Sequence, residues 1–321
     1  MNFADANGSP EEVPDLETPP PLADHSPEGN GWAPLEPVAP PVPEGELQPV
    51  TMVAPRPRFI PNLGHTLVFF LLLVPAFVGG YIFSFVLFLA IAHVPPHVLI
   101  DRMAREFRYA ITLQAIVYGV QWSLAGAVFW LWWGQSLAQG ISWNSSAARR
   151  WFLRLALLGL ATGLVMTLAG NFVPMPKTPP ILEDLTKSRL GAWLMMIFGI
   201  TLAPLTEELA FRGFLLMSLV NFFRWLQRRG SMSEPAVRMF GIPVSIAITS
   251  FAFAMVHAGQ VSHSWGPLLL IGTVSVILCL VRLLSNSVAA GVVVHAAYNS
   301  TLFAALLVQT DGFRHLEKLN G

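Results

Sequence analysis

Apolar side chains recur along this chain in windows of about twenty residues, the length a helix rising 1.5 Å per residue needs to cross a hydrocarbon layer of about 30 Å. The windows predict spanning helices near Thr66–His93, Ile111–Gly134, Phe152–Val173, Leu190–Val220, Gly241–His257, Gly266–Leu284 and Val288–Gln309. The fourth is longer than the rest and reads either as one tilted helix or as a span followed by a second short one, so the count is seven to eight. Trp122, Trp130, Trp132, Trp133, Trp143 and Trp151 bracket the second and third windows, where aromatic belts form at membrane surfaces. Gly159 and Gly163 offer a small-xxx-small face for close helix packing. The pattern is that of an all-α, polytopic helical membrane protein.

Ahead of the first window the pattern changes. Residues 1–62 hold fifteen prolines, many acids and few large apolar side chains, too little to offset the entropy of ordering. They are expected to form a disordered, acidic, Pro-rich cytoplasmic tail, the alternative being a docking segment for a cytoplasmic partner.

Composition sharpens this reading. With 54% hydrophobic and 12% charged residues, the chain lies far from a soluble composition of about 25% charged. The net charge of zero hides an asymmetry: ten of the nineteen acids precede the first basic residue, Arg56, so the membrane part is basic. Its Lys and Arg come in scattered pairs and triples, which suits loops beside anionic lipid and argues against nucleic acid as a partner. Clusters at Arg56/Arg58, Arg149/Arg150/Arg154 and Arg224/Arg228/Arg229/Arg238 fit a seven-span chain with its N-terminus in the cytoplasm. The loop carrying Arg102, Arg105 and Arg108 then falls outside, partly offset by Asp101 and Glu106. No basic segment leads into an apolar one at the N-terminus, so the first span is expected to direct insertion into the cell (inner) membrane. The single Cys279 rules out an internal disulfide and a cysteine-built zinc site.

Against this apolar background, charges inside the windows stand out. Glu207, Glu208 and Arg212 lie within the fourth window, and an ionisable side chain at bilayer depth costs roughly 2.5–3.5 kcal/mol on insertion scales. On a helix Glu208 and Arg212 share a face and can neutralise each other, while Glu207 points about 100° away and is left without that partner. Phe253 and His257 share a face of the fifth window, and His295 and Asn299 share one of the seventh. A carboxylate and an imidazole can together deprotonate a water as it attacks a carbonyl, while an imidazole N–H and an amide NH2 stabilise the oxyanion. That set points to hydrolysis without a serine or cysteine nucleophile. Glu207, His257 and His295 are equally a legitimate zinc ligand set, so no cofactor is required and zinc stays open. A structural salt-bridge knot, a non-enzymatic scaffold or immunity protein, and a proton-coupled transporter are the rival readings of the same residues. The confinement of ionisable groups to the last four windows shows no repeat of the first three, which disfavours an inverted-repeat transporter.

Other histidines carry less. His93 and His97 have metal-ligand spacing, but Pro95 and Pro96 break the helix that would align them. His25, His65, His263 and His315 read as interfacial or solvated, and Gln114 and Gln121 as hydrogen-bonding between helices.

Taken in order, Glu207-Glu208-x-x-x-Arg212, Phe253-x-x-x-His257 and His295-x-x-x-Asn299 resemble the three motifs of the CPBP family, which groups type II CAAX-processing endopeptidases with bacteriocin-processing and immunity (abortive-infection) proteins. The resemblance covers about residues 190–305. It implies a catalytic core over 190–310, preceded by N-terminal spanning helices over 63–189 and followed by a short tail over 311–321. It further implies an intramembrane endopeptidase acting near the C-terminus of a hydrophobic or prenylated CAAX-type protein or peptide. Glu207 would be the water-activating base with His257 its partner, His295 and Asn299 the oxyanion site, and Glu208, Arg212 and Phe253 supports. The family has been described both as metalloproteases and as glutamate proteases.

Overall fold

The computed structural model describes residues 59–176, 180 and 188–319, all within one compact unit, Arg56–Gly321. The expected tail falls outside the described residues, apart from its last four positions. Among the described residues there is no strand, and seven helices are long and apolar enough to cross a membrane. They are α1 (Leu63–Ala92), α2 (Phe107–Trp133), α3 (Phe152–Phe172), α4 (Arg189–Arg228), α5 (Glu234–Val256), α6 (Trp265–Ser285) and α7 (Val288–Gln309). Each coincides with one predicted window. Short helices over Pro96–Arg105, Leu137–Gly140 and Ser145–Arg150 fill the first two connections.

Large apolar side chains such as Leu67, Val74, Leu131, Leu153, Leu164 and Val308 point outwards. An apolar surface of this extent suits lipid tails, and helices are the element that satisfies its own backbone there. The chain is an integral membrane protein.

Proline shapes the two helices that matter most for the site. Pro75 has no N–H for the Leu71 carbonyl, and α1 breaks between Leu71 and Leu73. In α4 the helix interrupts at Thr201 (φ −115°, ψ −75°), just ahead of Pro204, which likewise leaves the Ile200 carbonyl without its donor. The segment Glu208–Leu215 then winds as a π-helix before regular helix resumes at Leu216. Forty residues of helix measure roughly 60 Å, twice the hydrocarbon thickness. The fourth window is therefore one long, interrupted element rather than two spans, longer than a single straight crossing needs.

Packing joins these helices around two seams. Phe69 of α1 stacks on Phe214 of α4 at 4.2 Å, with Phe129 and Trp133 of α2 closing around the pair. Along the other seam, α3 lies against α7: Gly159 faces the Val294 carbonyl and Gly163 faces Thr301 with no room for a methyl group. The predicted small-residue face is thus where two backbones meet. Gln121 donates to the Phe69 carbonyl at 3.4 Å, between helices as expected, whereas Gln114 bonds Tyr118 Oη within its own helix. Beyond α7 the chain folds back, burying Phe313 beside Ala192 and Trp193 at the start of α4.

Candidate active site

The polar side chains of α4, α5, α6 and α7 converge inside the bundle. Glu208 and Arg212 are fully buried, and Arg212 Nη1 lies 2.9 Å from Glu208 Oε1. The N–H is not aligned on that oxygen, so the contact is an ion pair rather than a linear hydrogen bond. Arg212 Nη2 donates to Ser275 Oγ at 2.8 Å and to the Ser275 carbonyl at 3.3 Å, tying α4 to α6. Its guanidinium carbon sits 4.5 Å above the ring of Phe253. A buried cation is tolerated when its charge is paired and its protons have acceptors; Glu208 supplies the charge and Ser275 the acceptors for Nη2, while Nε and Nη1 are left without one.

Glu208 Oε1 also lies 3.0 Å from His295 Nδ1. A carboxylate oxygen only accepts, so Nδ1 carries a proton and Nε2 turns the other way. On that side stands Glu207, with Oε2 at 3.7 Å from His295 Nε2 and Oε1 at 3.9 Å from His257 Nε2. His257 is oriented by the same logic. Its Nδ1 is 2.8 Å from the Phe253 carbonyl, which must accept, leaving its Nε2 directed at Glu207.

Glu207 is thus the partly accessible member of the carboxylate pair, with 22% of its side chain exposed against none of Glu208's. The two adjacent glutamates meet opposite nitrogens of one imidazole. The expected division, Glu208 with Arg212 and Glu207 apart, describes their placement. Phe253 touches more than the histidine that shares its helix face: its ring lies 4.8 Å from that of His257 and 5.9 Å from that of His295, besides supporting Arg212. Asn299 sits one turn beyond His295, and its Nδ2 donates to the Gly199 carbonyl at 2.6 Å. That bond satisfies a backbone acceptor just before the Thr201 break and occupies one of the two amide protons.

These motif residues lie between 189 and 301, and that segment matches the family model for Rce1-like proteins, type II CAAX prenyl endopeptidases. The segment is similar to the Rce1-like family. No curated protein and no solved structure matches the chain. At the level of class, the Rce1-like match supports a CAAX-type intramembrane endopeptidase.

Two residues of the matched segment escaped the sequence reading. Arg282 of α6 is 1% exposed, donating through Nη1 to Asn286 Oδ1 at 3.0 Å and through Nη2 to the Ile141 carbonyl at 3.1 Å. A single arginine near the end of an apolar window looks like a snorkelling residue. Its i,i+4 asparagine was the available sign that it stays inside. It brings a second buried cation near Glu208 and pins the α2–α3 connection to α6.

Gly291 of α7 is the other. A methyl group there would lie 2.5 Å from Glu208 Oε2, so α7 approaches the carboxylate more closely than any side chain permits. Gly291→Ala is expected to displace Glu208 and, with it, His295. Overpacking of this kind costs about 1–3 kcal/mol. Thermal unfolding of the purified variant beside the parent measures it, and an unchanged melting curve would mean that the carboxylate has room to move.

Proposed function

We propose that the chain hydrolyses a peptide bond near the C-terminus of a hydrophobic or lipid-modified substrate, with Glu207 activating the attacking water. The observation carrying this reading is the approach of two imidazole Nε2 atoms to the two oxygens of one partly accessible carboxylate. Four acceptor-capable atoms at 3.7–3.9 Å repel unless something electropositive lies among them. A water molecule with two protons meets that need, and it is the nucleophile the reaction requires.

In the proposed step the water oxygen bonds to the scissile carbonyl carbon as its proton passes to Glu207, with His257 holding the water's second proton. The carbonyl electron pair moves to oxygen. His295 takes its second ring proton from solvent as the substrate enters, and its Nε2–H then donates to that oxyanion, with Glu208 as counter-ion beneath Nδ1. Asn299 offers the amide proton not given to Gly199. Glu207 then returns its proton to the leaving nitrogen as the C–N bond breaks. Arg212 and Phe253 act by holding Glu208 and both imidazoles in place.

Glu207, His257 and His295 are a donor set of the zinc type, although among the described residues no three His, Cys, Asp or Glu side chains are placed so as to hold a metal ion. The two histidines turn Nε2 inward, and each has a second acceptor behind Nδ1, the arrangement that orients metal-bound imidazoles. If those three side chains held zinc, the ion would supply Lewis-acid polarisation and a more acidic water. Asn299, Glu208 and Arg212 would keep the roles given above.

Quenched peptides ending in a prenylated cysteine and three further residues, matched with unprenylated ones, test the reading on purified full-length protein in lipid nanodiscs. Cleavage on the C-terminal side of the modified cysteine, faster for the prenylated peptide, is the expected result. Addition of a zinc chelator separates the two chemistries: unchanged rates favour glutamate-activated water, and loss restored by zinc favours the metal. No cleavage of any peptide, by protein that still melts cooperatively, would overturn the proposal in favour of a scaffold.

A further inference from the structure

Tyr118 of α2 lies outside the segment that matches the family model, yet the fold carries it to the candidate active site. We propose that Tyr118 binds the substrate, its phenol donating a hydrogen bond to a backbone carbonyl beside the scissile bond and so holding the peptide against Glu207. The inference rests on the peptidase reading of Glu207 and adds a residue to it.

The placement follows from how α2 packs. Val117 is buried against α1, where a methyl group on Gly80 would lie 2.8 Å from Val117 Cγ2. The next residue of a helix points about 100° away, and Tyr118 turns to α4, its ring stacked on that of Phe198 at 5.8 Å. The two helices run in the same direction here: Phe107 meets Gly191, Tyr118 meets Phe198 and Phe129 meets Phe214. Tyr118 therefore stands beside the last turn of α4 before the Thr201 interruption, and Glu207 closes the short stretch that follows, Leu202–Glu207.

The hydroxyl is free to donate. Gln114 Nε2 donates to Tyr118 Oη at 2.9 Å, the one side-chain hydrogen bond of the phenol among the described residues. A phenol oxygen that accepts keeps its own proton to give, and within a spanning helix no bulk water stands ready to take it. Among the described residues Glu207 is the one ionisable group whose charge acts on the phenol, and the two are not hydrogen-bonded to each other. Tyr118 is half-buried and the Glu207 side chain is 22% exposed, so both keep surface for an occupant. A peptide seated on Glu207 would meet the phenol from α2 as it meets His257 from α5 and His295 from α7.

The neighbours narrow what the phenol can hold. In the mechanism above the attacking water belongs to Glu207 and His257, and the scissile oxygen to His295 and Asn299. A substrate carboxylate at Tyr118 would be repelled by Glu207. A backbone N–H would find Oη already accepting from Gln114. The neutral carbonyl of an adjacent peptide unit is the acceptor that remains. Such a bond is made equally in the ground state and the transition state, so its loss appears in KM and not in kcat.

Tyr118→Phe keeps the ring and its stack on Phe198 and removes only the hydroxyl. With the prenylated peptides described above, KM is expected to rise about three- to tenfold, the worth of one hydrogen bond, with kcat and the melting temperature at parent values. A fall in kcat at unchanged KM would overturn the assignment and place the phenol on the attacking water. Unchanged kinetics would overturn it outright. Dissociation constants of the same peptide for Glu207→Gln and for Glu207→Gln/Tyr118→Phe, corrected for partitioning into empty nanodiscs, keep the two readings apart. Weaker binding by the double variant beside a parent that does not cleave would retire hydrolysis and support Tyr118 as a peptide-binding residue. Equal binding by both would overturn the role of Tyr118 and leave hydrolysis standing.

Discussion

Glu207→Gln is expected to lower kcat by about 10²–10⁴-fold, the range general acid–base catalysis supplies, while KM and the melting temperature stay close to the parent values. The substitution keeps the shape of the side chain and removes only its capacity to take a proton. Glu207 can lose its charge without structural consequence because its nearest polar neighbours stand at 3.7 and 3.9 Å, too far for direct hydrogen bonds. Glu208→Gln is the instructive contrast. That carboxylate is fully buried between Arg212 and His295, so its neutralisation strands a buried cation and lowers stability along with activity. An inactive but stable Glu207 variant beside an unstable Glu208 variant would separate the reacting carboxylate from the supporting one. Turnover by purified Glu207→Gln at more than about a tenth of the parent rate would remove Glu207 from the base role.

What the sequence made legible follows from how local each feature is. The seven spans are properties of contiguous windows, and all seven form. Glu208 with Arg212, and Phe253 with His257, share faces by helical period alone, and the structure brings both pairs into contact. What could not be read depends on approach between helices distant in sequence. The contact of Glu208 with Gly291 exists only because α7 crosses α4 there. Asn299 reaches Gly199 only because α4 is interrupted at Thr201. The π-helical stretch over Glu208–Leu215 gives the carboxylate pair a wider turn than the 3.6-residue period supposes. His65 was read as interfacial or solvated from its position at the end of an apolar window; it is not solvated, because Phe129, Trp132 and Trp133 of α2 surround its ring.

The buried ion pair gives the largest expected change in stability. Arg212→Met keeps much of the side-chain volume and removes the guanidinium, leaving the Glu208 carboxylate at zero exposure with His295 as its one charged or polar contact at 3.0 Å. Removing one partner of a buried pair costs about 3–5 kcal/mol, because the charge left behind is uncompensated. For a folded unit of this size that corresponds to a melting temperature lower by roughly 6–20 °C. The same argument fixes the outcome of the double change. In Arg212→Met/Glu208→Gln neither member of the pair is left charged, and Arg282 keeps its acceptors at Asn286 and the Ile141 carbonyl, so the double variant should regain much of the lost stability while remaining a poor catalyst, since a neutral amide is no counter-ion for His295. Thermal unfolding of the two single variants and the double variant in one detergent measures the coupling directly. If the losses simply add, Glu208 and Arg212 are not energetically paired despite their 2.9 Å separation. The charge balance would then have to come from Arg282, the other buried guanidinium, and Arg282→Met would become the variant that unfolds the core.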